Sequence, residues 1–293
     1  MNLLRIAIQK SGRLSDKSKS LLKECGIIIP DSKRTLKVKA LNYDLEVLLL
    51  RDDDIPQYVQ DGIADLGILG QNEVEEKDKS VDTIKELGFS KCRLCLAIPK
   101  KSVATYDREG IKWFAGKSIA TSYPNVLRKC LDKQAIKADI HEIGGSVEIA
   151  PSIGLTDGIF DIVSTGATLL NNGLEEVETL MKSQAVLIAN KNLNADKQNQ
   201  LEDLLFRIEA VMNAKGKKYV MLNAPNDDRL EKIIALLPSN ESPTIMALED
   251  NKWKAIHTVM TESDFWDKVR KLERLGARGI LTTNIEKISP QDS

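Results

Sequence analysis

Histidine is almost missing from this sequence: His141 and His257 are the only two among 293 residues. A Ser-His-Asp triad or a histidine-rich zinc site therefore has little material. Cysteine is scarce as well, at four residues, and only Cys92 and Cys95 lie close together. The run Lys91–Ile98 reads as a strand, which sends residues three apart to opposite faces, so this pair is expected to share neither a disulfide nor a metal. Buried structural thiols are the expectation. Aromatic residues make up 4%, too few for the stacking platform of a single-strand nucleic-acid binder. A formal net charge of −1 offers a polyanion no general attraction, so no nucleic-acid partner is expected. No run approaches the roughly 18 apolar residues that span a bilayer. Met1–Gln9 carries neither a long apolar core nor a small-residue cleavage site, and a cytoplasmic protein with no membrane partner is expected.

What is present describes an ordered globular chain, with 42% hydrophobic and 29% charged residues and enough length for two or three domains. Short β-type runs alternate with helical ones: strand Leu4–Ile8, a helix closing at Gly26, strand Leu45–Leu50, then a helix opening at Asp54-Ile55-Pro56 with Asp54 as N-cap. Ile55, Val59 and Ile63 recur at four-residue spacing before a buried strand in Ala64–Gly70. Such alternation predicts an α/β fold with parallel sheets. After a strand at Cys92–Ile98, a second alternating stretch runs from Gly116 to about Met181, and Ala185–Ala189 is placed to return the chain to the first sheet. Two crossings make a hinge. An amphipathic helix with Leu201, Leu204, Leu205, Ile208, Val211 and Met212 on one face ends at Asn213–Lys217. The remainder reads βαββαβ, the ferredoxin-like order. The expected division is residues 1–95 with 184–216, residues 96–183, and residues 217–293.

The residues with chemistry to offer lie where strands end. Ile159–Val163 is an apolar strand interrupted by Asp161, followed by Ser164-Thr165-Gly166-Ala167-Thr168. Small residues let a phosphate approach the amides of such a turn, and the three hydroxyls add donors. Taken alone, the same five residues also suit a plain strand-to-helix cap. Immediately upstream, Ser146 is placed to cap a helix presenting Glu148. A second carboxylate beside Asp161 is costly unless hydroxyls or a cation compensate, which makes ribose and Mg²⁺ natural occupants. Lys10 and Arg13 follow the first strand and Arg51 follows the next, where α/β folds place ligands, and polyphosphate is the matching partner. Tyr123 is read as stacking on or bordering a base. The run Asp52-Asp53-Asp54 is explained by capping and solvation rather than by a metal.

Glu148 through Gly154, Asp161 and Thr165–Leu169 resemble the signature of ATP phosphoribosyltransferases. Gln9–Leu14, Arg51–Pro56, Asp65–Ile68, Ala120–Pro124 and Ser242–Ile245 extend the likeness over nearly the whole chain. Thr156 departs from the Ala, Gly or Ser usual in that pattern. The C-terminal module resembles the regulatory domain of the family's long form. The resemblance implies two periplasmic-binding-protein-like lobes with the active site between them, and a ferredoxin-like regulatory domain behind. It also implies transfer of phosphoribosyl from phosphoribosyl pyrophosphate to N1 of ATP, with release of pyrophosphate, as the first step of histidine biosynthesis. By motif, Ser164, Thr165, Gly166, Ala167 and Thr168 take the sugar phosphate, and Asp161 and Glu148 take the ribose or Mg²⁺. Lys10, Arg13, Arg51 and Tyr123 then face ATP. Asn223, Ser242 and Thr244 sit at strand ends of the last module, where inhibitory histidine is expected, and dimers and hexamers are implied. A two-lobed anion sensor without catalysis, or a phosphoribosyltransferase with another acceptor, remain as alternatives.

Overall fold

The computed structural model describes residues 3–30, 35–238 and 242–290. Their contacts form two compact units. One comprises the described residues up to Lys23 and Ile27–Gln200, and the other comprises Glu24–Gly26 and the described residues from Leu201 onward.

The first unit holds two sheets. The first is built from β1 (Leu4–Gln9), α1 (Arg13–Glu24), β2 (Lys37–Lys39), β3 (Leu45–Leu50), α2 (Ile55–Gln60), β4 (Leu66–Gly70), α3 (Gln71–Lys77) and β5 (Val81–Glu86). The chain then crosses through β6 (Cys92–Pro99) into α4 (Val103–Glu109), β7 (Ser118–Thr121), α5 (Pro124–Lys133), β8 (Asp139–Glu142), β9 (Gly158–Val163), α6 (Ala167–Asn171) and β10 (Leu174–Ser183). It returns as β11 (Ala185–Asn190), which enters the first sheet between β4 and β5 as the sequence predicts. The orders are β2-β3-β1-β4-β11-β5 and β10-β6-β9-β7-β8.

The sheets are mixed, which corrects the expectation of parallel ones. Among the described residues only β3-β1-β4 and β8-β7-β9 are parallel. The crossing strands run against their neighbours: β6 is antiparallel to β9 and β10, and β11 to β4 and β5.

Tight packing explains Gly67 on β4: a Cβ there would fall 2.6 Å from Ile55 Cγ2 of α2. Helix α2 is shorter than the Ile55-Val59-Ile63 spacing suggests, ending at Gln60 and leaving Ile63 exposed. Asp54 does not cap it with its side chain, because Asp52–Asp54 is itself a 3₁₀ turn leading in. Ser146 likewise makes no capping hydrogen bond, and Glu148 lies on a 3₁₀ turn, Val147–Ile149, rather than on an α-helix. Asp65 is buried just before β4, where Lys197 Nζ at 2.6 Å and the Arg5 guanidinium at 3.4 Å balance its charge and the Arg5 backbone N–H donates to it at 2.8 Å. Its motif is structural. Cys25 and Cys95 are buried, Cys92 and Cys130 half-buried, and all four are free thiols.

Helix α7 (Ala195–Ala214) buries Leu201, Leu204, Ile208 and Val211, as its periodicity predicts, with Leu205 and Met212 half-buried. Beyond it come β12 (Lys217–Pro225), α8 (Arg229–Leu236), β13 (Thr244–Ala247), β14 (Trp253–Thr261), α9 (Glu262–Arg274) and β15 (Arg278–Asn284). The antiparallel order β13-β14-β12-β15 is that of a ferredoxin-like module, so the predicted fold class holds. Val220, Leu222, Ile233, Ile256 and Leu272 form its core. No helix among the described residues is long and apolar enough to cross a membrane.

Candidate active site

Strand alternation gives the second sheet two unlike faces. Leu94, Leu96 and Ile98 of β6 join Trp113, Phe114, Tyr123 and Phe160 in an aromatic core on one side. Cys95 and Ala97 point the other way, into a cluster with Ala120, Val147, Ala150 and Leu169. These small side chains let the turn carrying Glu148 and helix α6 lie close to the sheet. Asp161 pairs with Cys95 across the ladder and so shares this second face.

Glu148, Asp161, Ser164, Thr165, Gly166 and Thr168 line one cleft of about 240 Å³. The structure therefore brings together the predicted sugar-phosphate residues except Ala167, which begins α6 without lining the cleft. Gly166 supplies the bend at φ +81°, a left-handed conformation that glycine adopts without steric cost. Neither the Thr165 nor the Gly166 amide has an acceptor among the described residues. The alternative role of a plain Thr cap is not what this turn does: Gly166 holds the N-cap position, and no side chain caps α6. Burial raises the Asp161 carboxyl above its ordinary range despite the Ile162 amide donating to it at 2.7 Å, and the nearby charge of Glu148 raises it further. Such a pair favours a cation or hydroxyl donors between its members.

On the first sheet, the Lys10 amide donates to the Leu50 carbonyl at 2.8 Å, so β1 and β3 end side by side. Lys10 and Arg51 thereby follow the carboxyl ends of neighbouring strands, Arg13 opens α1 shortly after Lys10, and all three side chains are exposed. Arg51 pairs with Asp53 at 3.3 Å. Asp52 accepts from Gln9 Nε2 at 3.2 Å, which gives the aspartate run a local structural role.

Tyr123 does not present an open ring. It is buried among the aromatic core, its hydroxyl donating to Glu73 Oε1 at 3.0 Å and accepting from Asn72 Nδ2 at 3.3 Å. Burial, then the charge and hydrogen bond of Glu73, raise its phenol well above the ordinary value. Glu73 is raised too, chiefly by burial. Beside them, the Glu76 carboxylate accepts from the Asn125 and Val126 amides at 3.1 and 2.9 Å, filling the N-terminus of α5. Asn72, Glu73 and Glu76 of α3 thus tie the two lobes together. Sequence reasoning missed them, although three polar residues spaced for one helix face were visible.

In the C-terminal module, Asn223 pairs with Ala255 and Thr244 with His257, two positions apart on β14, so both share one sheet face. Ser242 is exposed just before β13. Among the described residues no group of three or more His, Cys, Asp or Glu side chains is placed to hold a metal.

A family model described as ATP phosphoribosyltransferase matches residues 51–210, and one for the C-terminal domain of the same family matches residues 214–287. The ATP phosphoribosyltransferase of Bacteroides thetaiotaomicron is 54% identical over 98% of this chain and 99% of its own. That of Cytophaga hutchinsonii is 53% identical over 98% of both. Among solved structures, an ATP phosphoribosyl transferase (HisG:HisZ) complex from Thermotoga maritima matches with TM-score 0.59 and 31% identity, over 71% of this chain and 99% of that one. The chain belongs to the ATP phosphoribosyltransferase family, the pentosyltransferases of histidine biosynthesis, and its C-terminal domain makes it a member of the long form.

Proposed function

We propose that the cleft at Ser164–Thr168 is the sugar-phosphate half of a two-substrate site. The observation that carries this is the pairing of two acceptor-free amides, Thr165 and Gly166, with two carboxylates, Glu148 and Asp161, around one cleft. Amides and hydroxyls of the turn bind the 5′-phosphate of phosphoribosyl pyrophosphate. Asp161 and Glu148 accept from the ribose hydroxyls and stabilise positive charge on the ring as the bond from the anomeric carbon to pyrophosphate breaks and the bond to N1 of ATP forms. Pyrophosphate is already a good leaving group, so alignment and electrostatics suffice without a protein nucleophile.

A Mg²⁺ ion fits this donor set, since the ion is commonly bound by one or two carboxylates together with substrate oxygens. Asp161 or Glu148 would hold it, and it would supply neutralising charge to the departing pyrophosphate. Lys10, Arg13 and Arg51 bind the ATP polyphosphate from beyond the strand ends of the first sheet. Closure of the lobes keeps water from the activated anomeric carbon. Tyr123, buried with its hydroxyl engaged by Glu73 and Asn72, offers no open ring for a base to stack on.

The C-terminal module binds histidine near Asn223, Ser242 and Thr244 and lowers activity by favouring a less active assembly, a dimer–hexamer balance being the expected form. Initial rates titrated with histidine test this part, and rates independent of histidine would remove it. The chain's work is cytoplasmic.

For the catalytic site, N1-phosphoribosyl-ATP formation is followed with pyrophosphatase present. Thr165→Ala and Asp161→Ala are expected to cut turnover by about a hundredfold with the fold intact. Wild-type rates in both would refute the site.

A further inference from the structure

The strand β6 is apolar except for Arg93, an unusual charge for a central strand. Its guanidinium uses two edges. Nε and Nη2 grip the two oxygens of Glu176 at 2.7 and 2.6 Å, while Nη1 donates to the backbone oxygen of Ser164 at 3.2 Å. Glu176 is itself held by Cys95 Sγ at 3.0 Å and by the Thr179 hydroxyl at 3.1 Å. Arg93 does not line the cleft around Asp161, whereas Ser164 and Thr165 do.

In a trans peptide the C=O and the following N–H point in opposite directions. Holding the Ser164 oxygen toward Arg93 therefore turns the Thr165 N–H the other way, and that amide has no acceptor among the described residues. An arginine side chain left loose would lose this aim, and the bidentate clasp of Glu176 removes the looseness. We infer that Arg93, fixed by Glu176, is a positioning residue that sets the Thr165 amide for the phosphate of the phosphoribosyl donor. This rests on the assignment of the turn to that phosphate. Lysine is a partial replacement, since one ammonium cannot reproduce a fork on the carboxylate and a separate bond to the carbonyl.

Steady-state kinetics of the full chain test the inference in Arg93→Ala, Arg93→Lys and Glu176→Gln, with Thr165→Ala alongside. Arg93→Ala should raise KM for phosphoribosyl pyrophosphate roughly ten- to a hundredfold and leave KM for ATP unchanged. Arg93→Lys should recover part of the loss, and Glu176→Gln should show a smaller rise confined to the same substrate. A folded Arg93→Ala enzyme with unchanged KM for phosphoribosyl pyrophosphate, or one whose only defect is a lower kcat, overturns the inference. If Arg93→Ala fails to fold, the other two variants decide: a donor-specific rise in KM supports the role, and an unchanged KM overturns it. Thr165→Ala separates two kinds of failure. If it raises the donor KM while the Arg93 variants do not, the positioning role alone is wrong. If neither does and Thr165→Ala also keeps the wild-type turnover, the assignment of the turn is wrong as well.

Discussion

The turn at Ser164–Thr168 and the cations beyond β1 and β3 of the first sheet both lie at strand ends, and they are built in opposite ways. In the turn, the groups offered to the proposed ligand include backbone amides, next to the left-handed Gly166 and to the Ser164 carbonyl that Arg93 holds. On the first sheet, they are the tips of Lys10, Arg13 and Arg51, all exposed. Ordering one such long side chain costs about 1.5–2 kcal/mol of rotamer freedom. On the proposed assignment, the sugar-phosphate half is preformed, whereas the polyphosphate half is completed when its ligand arrives.

The largest expected effect comes from Asp161. Its carboxyl is raised by burial and by Glu148, so its negative charge is held at a cost to the fold. Stability from such a group is fully present below its unfolded value and is lost as pH rises through the folded value. Asp161→Asn should accordingly raise the thermal midpoint at neutral pH while lowering kcat/KM by about a hundredfold or more. A lower midpoint would show that the charge is compensated by something other than a ligand.

A smaller effect is expected at the cations of the first sheet. Lys10→Ala or Arg13→Ala should raise KM for ATP by about three- to tenfold, with little change in KM for phosphoribosyl pyrophosphate. The effect should shrink as salt screens these exposed cations. Equal changes for both substrates would erase the contrast between the two halves.

The last prediction concerns stability rather than turnover, at the ion pair behind the turn. The Arg93 guanidinium holds the Glu176 carboxyl down at about 2. A depressed carboxylate contributes stability that is complete above its unfolded value of roughly 4.3 and is lost as pH falls through the folded value. Acid titrations of wild type and Glu176→Gln should therefore differ in stability at neutral pH and converge near pH 2. A constant offset over that range would contradict the ion pair's role.

Legibility in the sequence followed the range of the interactions. Strands such as Leu45–Leu50 and Ala185–Asn190 and the whole βαββαβ module showed themselves, because hydrophobic periodicity is local. So did the grouping of Glu148, Asp161 and the turn, which lie within one short stretch. The 3₁₀ turns at Asp52–Asp54 and Val147–Ile149 did not, since capping chemistry there looks like that of an α-helix start. Strand direction in the mixed sheets was hidden too, because a run of apolar residues does not say which way it is paired. Contacts across the chain were least legible. Arg93 and Glu176 are separated by 83 residues, and Tyr123 meets Glu73 across 50. Nothing local in the sequence singles out Arg93, Glu176 or Glu73, and for Tyr123 a buried hydroxyl replaces the open ring read from its motif.

Amide hydrogen exchange of the full chain, with and without phosphoribosyl pyrophosphate and in the absence of ATP, tests the preformed sugar-phosphate site most directly. The predicted result is slowed exchange at Thr165 and Gly166 on adding the donor alone, because those amides gain their missing acceptor. Unchanged exchange at both under saturating donor would contradict the account.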